Sequence, residues 1–237
     1  MAARDICVLP VLFKKRGADG DFKYMSTRPE HTNSVFILAE NYRDMLFFTD
    51  DGGGTAALRT KTWPNTNNPC AVGVPTGWSQ ETGGFASLLP IVRTLVDLSI
   101  DRVVVHLIEH PHVNTVIYSA DSSDDSKIGV GIFKTTLSVQ VRDYISDAIH
   151  DIPLRFAHAV NDPNRKTMEE LRELEITAPV PAFMFAEVIH GERRATRAFA
   201  EMKTVATRLK QFGKQPVLNK KSNQAIQKPG RIQTLTH

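Results

Sequence analysis

Cysteine is nearly missing from this chain: Cys7 and Cys70 are its only two in 237 residues. Two thiols build neither a disulfide framework nor a four-ligand zinc site, and such sparse use fits a reducing cytoplasm. Long apolar runs are missing as well. The N-terminal stretch MAARDICVLPVLFKKRG holds one short apolar run between charges. It is too brief for a signal-peptide core or a membrane span, and it reads as a first buried strand, with Pro10 arguing for an edge or a bulge. No internal repeat occurs. The pattern GxxxxGK[ST] is absent, which excludes a Walker-type phosphate loop, and GxGxxG is absent too. Acidic residues disappear from Met202 onward, where eight basic residues stand alone. With a net charge of +3 overall, the first 201 residues therefore carry −5. The chain is a mildly acidic body with a basic tail.

What is present is an ordinary globular composition, 41% hydrophobic and 23% charged, long enough to bury a core without staples. Strand signals fall at ICVLPVLF (6–13), SVFILAEN (34–41), NPCAVGVPTG (68–77), DRVVVHLIEH (101–110) and NTVIYSAD (114–121). FKYMS reads as a hairpin return after the GADGD turn. The continuous apolar character of SVFILAEN is that of a buried parallel strand. Ser87 is placed to cap a helix through Ile100, and Ser138 to cap one over VQVRDYISDAIHDI. Thr167-Met-Glu-Glu170 is a capping box, and a longer helix is expected from Pro181 to Gly213. The alternation predicts an α/β layered sheet with ligand sites in loops at the strand C-termini. The expected organisation is an α/β domain over 1–155, a helical extension over 156–213, and a basic tail over 214–237 that is disordered when free.

Two stretches carry the functional signal. DDGGGTAALR (50–59) puts three glycines ahead of a run able to start a helix, and SKIGVGIF (126–133) leads toward the helix capped by Ser138. Glycine lets backbone N–H groups approach an anion closely, and a helix N-terminus adds partial positive charge. Facing each other across one sheet edge, the two stretches would wrap a diphosphate and leave Phe133 to pack on a ribose or base. The alternatives are a plain surface loop for the first stretch and a tight turn for the second, with Ile132 and Phe133 in the core.

The order of these elements resembles the macrodomain family, an ADP-ribose-binding α/β fold. The matching stretches are ILAEN (37–41) with DDGGGTAALR, and SKIGVGIF, within residues 34 to 152; AVGVPTG (71–77) resembles the Ala-Ile-Pro-Thr stretch of divergent, often phage-encoded members. The resemblance implies a three-layer mixed sheet flanked by helices. It implies binding of ADP-ribose or a related nucleotide metabolite through Gly52, Gly53, Gly54 and Thr55 in one loop and Gly129, Gly131, Ile132 and Phe133 in the other. Asn41 would sit near the distal ribose. The family contains binders and ADP-ribosyl hydrolases, so hydrolysis stays open; Asp51 would then help position a water, against the alternative of an exposed acidic turn. The spacer YRDMLFFTDD between Asn41 and Gly52 is longer than the family's usual link.

Other chemistry reads more plainly. His106, His110 and His112 share a face if extended, but Pro111 disrupts pairing, so strand-end histidines are expected rather than a metal site. Cys70 lies in an apolar run and reads as a structural thiol. No cofactor is expected. The competing function is that of a non-enzymatic phage or viral accessory protein in the host cytoplasm, docking on protein or nucleic acid through its helical extension and basic tail. That tail carries almost no aromatic residues, which disfavours stacking on single strands.

Overall fold

A computed structural model describes residues 4–47, 58, 61–64, 66, 68–79, 83–130 and 136–178. Four parallel strands form the centre: β1 (Cys7–Val11), β2 (Ser34–Asn41), β3 (Ala71–Ser79) and β5 (Thr115–Asp121). Two antiparallel strands are added, β4 (Gly83–Gly84) on β3 and β6 (Asp124–Ile128) on β5, so the sheet is mixed and its order is β1-β5-β2-β3-β4. The helices are α1 (Phe22–Met25), α2 (Tyr42–Phe47), α3 (Pro90–Glu109), α4 (Val139–His150), α5 (Ile152–Ala159) and α6 (Met168–Thr177). The result is a mixed α/β fold with a curled sheet flanked by helices. The long helix expected over 181–213 and the basic tail lie outside the described residues.

β2 is the spine. Its residues Val35 to Leu38 are at most 1% exposed, because β5 and β3 pair with it on either side and helices cover it. A strand buried on both faces needs an unbroken apolar run, and SVFIL supplies one. Among the described residues β1 is an edge strand, and its proline is placed accordingly. The Cys7 N–H donates to Asn114 O, so alternation turns Val8 and Pro10 outward. Pro10 thus withholds a donor from the free edge and blunts it against a further strand.

α3 departs from the sequence reading. Residues 101–110 are not a strand: the helix runs unbroken for 20 residues, with Leu89 rather than Ser87 at its N-cap. The reason is burial on all sides. α3 packs between β3 and the pair α5 and α6, so Arg102, Val103, Val104, Val105, His106 and Leu107 are all buried and no amphipathic stripe appears. Packing overrides the strand preference of the valine run. FKYMS also differs, forming α1 under an Asp21 cap whose carboxylate accepts from the Lys23 and Tyr24 N–H groups. By contrast, Ser138 and the Thr167–Glu170 capping box act as their sequences predict.

A buried polar clasp ties α6 to this body. Arg102 Nε lies 2.9 Å from Glu175 Oε1, and its Nη2 donates to Gly73 O at 2.9 Å. Ser99 Oγ donates to the same Glu175 oxygen at 2.9 Å, and Tyr42 OH donates to Glu175 O at 2.6 Å. Burial pushes the Glu175 carboxyl up, while Arg102 and Ser99 oppose that shift. Tyr42 opens α2, so the clasp also fixes the direction in which the chain leaves β2.

Candidate functional site at the carboxyl edge of the sheet

The four parallel strands end together, and β2 and β5 part there. Their ladder stops at Ile37 with Tyr118, whereas β2 continues along β3 to Asn41, opposite Gly77, across a register shift after Glu40. In open α/β sheets the carboxyl ends of the strands, where neighbours diverge, are the usual ligand crevice.

The start of the second glycine stretch lies beside the end of β5. The Thr115 N–H donates to Asn33 O, on the β2 side of β5; by the period of two, Ser119 faces the same side. Gly129 N–H donates to Ser119 O at 2.7 Å, which sets Gly129 beside the end of β5. Gly129 must be glycine for a packing reason too: a Cβ there would lie 2.7 Å from Ala120 O. The other flank of the stretch is anchored on the far side of β2. Thr136 Oγ1 accepts from Gly84 N–H at 2.7 Å, and Ser138 N–H donates to Phe85 O at 2.9 Å. Phe85 N–H in turn donates to Thr76 O of β3 at 3.0 Å. Gly83 opens β4 with φ +77, a conformation that favours glycine, and a Cβ there would meet Thr136. The described flanks of 126–138 therefore bracket the end of β2, one at β5 and one at β4.

Of the expected site residues, Asn41 and Gly129 are described, and both lie at this edge; Asn41 is 5% exposed. Asp51, Gly52, Gly53, Gly54, Thr55, Gly131, Ile132 and Phe133 lie outside the described residues. Asn41 is followed by α2, so a helix lies between it and the first glycine stretch. α2 accounts for part of the long spacer. Nearby, Asp121 at the end of β5 is committed to its own turn, accepting from Ser123 N–H at 2.8 Å, with Arg142 Nη1 3.5 Å away.

The sequence reading missed the third wall, the β3–β4 hairpin. It brings Trp78, half-buried, to the same edge, with Phe85 at 4.6 Å and Tyr42 at 6.1 Å between ring centroids. Two strand residues reading Gly-Gly carry no local signal; only their pairing with Gly77 and Ser79 reveals them.

The amino end of the sheet has a different character. His106, His110 and His112 surround Trp63 at 5.1, 5.3 and 5.1 Å between centroids, and Trp63 Nε1 donates to Ser34 O at 2.8 Å. His106 and His110 are one helical turn apart rather than on one strand face. Burial first, then neighbouring imidazoles, push His106 down to about 3, so it stays neutral. Among the described residues no group of three or more His, Cys, Asp or Glu side chains could hold a metal. Cys70 is fully buried and its thiol is pushed up to about 11 by burial, which leaves it no thiolate to act as a nucleophile. No helix among the described residues is long and apolar enough to cross a membrane. Comparison with family models, curated proteins and solved structures finds no match for this chain.

Proposed function

We propose that the carboxyl edge binds ADP-ribose or a related nucleotide metabolite, with the diphosphate held by backbone N–H groups of the two glycine stretches, in a macrodomain-like three-layer arrangement. The observation that supports this most is the bracketing of β2: the flanks of the second glycine stretch are tied to β5 through Gly129 and to β4 through Thr136, with Asn41 between them. Gly129 N–H is held by Ser119 O, so on this reading the anion is taken by the N–H groups beyond it, since an anion is the partner that backbone N–H groups of a glycine stretch suit. Gly52, Gly53, Gly54 and Thr55 supply the opposite side on this reading, and Gly131, Ile132 and Phe133 complete the near side. Hydrolysis of an ADP-ribosyl bond would use Asp51 and the ligand's own phosphate to orient a water, with Asn41 at the ribose.

Calorimetric titration with ADP-ribose tests the reading. Saturable heat is expected, abolished in Gly53→Glu and Gly131→Glu chains, because a carboxylate there both fills the cradle and repels phosphate. No heat at millimolar ligand from folded protein would end it.

A second reading rests on charge. The eight basic residues after Glu201, unaccompanied by any acid, suit a polyanion or an acidic protein surface. Removing 214–237 would then weaken nucleic-acid binding and flatten its salt dependence; an unchanged slope would dismiss this role.

A further inference from the structure

We infer that α6 is a strap over α2: the two helices form one cooperative unit that opens from the body before the body unfolds. Tyr42 and Met45 of α2 form a small cluster of their own with Leu95 of α3, and Ile176 and Ala178 at the end of α6 pack against it beside Trp78. Tyr42 OH donates to Glu175 O at 2.6 Å, across 133 positions of sequence. Departure of α6 therefore strips α2 of this acceptor and of part of its apolar cover. α2 spans 6 residues. Isolated helices shorter than about 12 residues do not hold in water, so α2 depends on its tertiary contacts, and α6 supplies those at Tyr42.

The hold on α6 is largely polar. Leu171 and Glu175 are its buried residues, so one apolar side chain is fully covered, whereas α4 buries Val141, Ile145, Ala148 and Ile149. The rest comes from Glu175, whose Oε1 accepts from Ser99 Oγ and lies 2.9 Å from Arg102 Nε. The attraction within such a buried pair is largely offset by the cost of taking both charges out of water. The clasp thus fixes where α6 sits more than it raises the cost of lifting it. On release Arg102 keeps Gly73 O as an acceptor, so the body retains its own tie. Elements with few buried apolar side chains are the ones that open locally, below the free energy of global unfolding. Because α2 begins directly after Asn41, opening frees the chain that leaves the end of β2 while the sheet stays formed. The strap is a conformational device of the fold and stands independently of what binds at the carboxyl edge.

Native-state hydrogen exchange of the full chain in low urea, with amides read by NMR, tests the strap. Amides of Leu46 and Phe47 in α2 and of Ile176 and Thr177 in α6 should converge on one opening free energy, below that of Ile145 and Ile149 in α4. Tyr42→Phe removes the shared hydrogen bond and is expected to speed exchange in both helices by the same factor, about 2- to 12-fold, with α4 unchanged. Leu171→Ala changes α6 alone, so acceleration in α2 by the same factor as in α6 is the cooperative signature. Faster exchange in α6 with α2 unchanged overturns the unit, as does exchange of both helices only at the free energy of global unfolding. If Leu171→Ala leaves α6 without protection, α2 must lose its protection as well, and protected α2 amides overturn the inference.

Discussion

The two ends of the sheet are held by different means. At the amino end, side chains do the packing: Trp63 sits among three histidine rings, its N–H bound to Ser34 O, beside fully buried Cys70. At the carboxyl end Trp78 packs with Phe85 and Tyr42, and beside them small residues meet through backbone: Gly77 with Gly84, Gly84 N–H with Thr136, Gly129 N–H with Ser119 O. Side-chain packing fills space and serves stability. Glycine at the carboxyl end lets backbone approach backbone: a Cβ on Gly77, Gly84 or Gly129 would lie within 2.7 Å of Gly83 O, Leu137 N or Ala120 O. The difference sets an amino end packed by side chains against a carboxyl end of close backbone contacts, the end at which binding is proposed.

Substitutions should separate these ends. Trp63→Ala removes a buried ring and its hydrogen bond, and is expected to cost about 3–5 kcal/mol in urea unfolding, with ADP-ribose affinity unchanged at temperatures where the variant is folded. A comparable loss, about 3–5 kcal/mol, is expected for Glu175→Ala, which leaves Arg102 buried without its partner; the double variant Arg102→Met/Glu175→Leu should recover much of it.

An intermediate effect comes from pH. His106 has a lowered folded-state pKa, about 3 against 6.5 unfolded, so the unfolded chain takes up the proton first. Its contribution is fully present above pH 6.5 and is lost as pH falls toward 3. Between neutral pH and pH 5 this one group accounts for about 2 kcal/mol. Urea midpoints of His106→Phe should therefore fall less steeply with acid than those of the parent; equal slopes would place the acid sensitivity elsewhere.

The smallest stability effect is expected at the carboxyl edge. Thr136→Val removes the acceptor for the Gly84 N–H and should cost about 1 kcal/mol. Its loss in ADP-ribose affinity should be proportionally greater than that of Trp63→Ala, since it frees one anchor of the second glycine stretch.

How much of this was legible in the sequence follows from where the determining forces act. β2, β5, α4 and α6 were readable because each carries its own local signal: an unbroken apolar run, or Ser138 and Thr167 as caps. The second half of α3 was not, because Arg102 to Leu107 face a neighbour on every side and the helical period disappears. β6, reading DDSKI, and β4, reading Gly-Gly, exist only through their partners. Of the candidate site residues, Asn41 at the end of β2 and Gly129 just after β6 are described at the carboxyl edge. The place of Trp78 was not legible, since it comes from the pairing of Gly77 with Asn41 rather than from any motif.

The most direct test of the division is a backbone amide NMR titration of the full chain with ADP-ribose. Amides of Asn41, Gly77, Trp78, Gly84 and Gly129 should shift saturably, while those of Lys61, Trp63, His106 and His110 stay still. Shifts confined to the amino end, or none at millimolar ligand, would contradict the account.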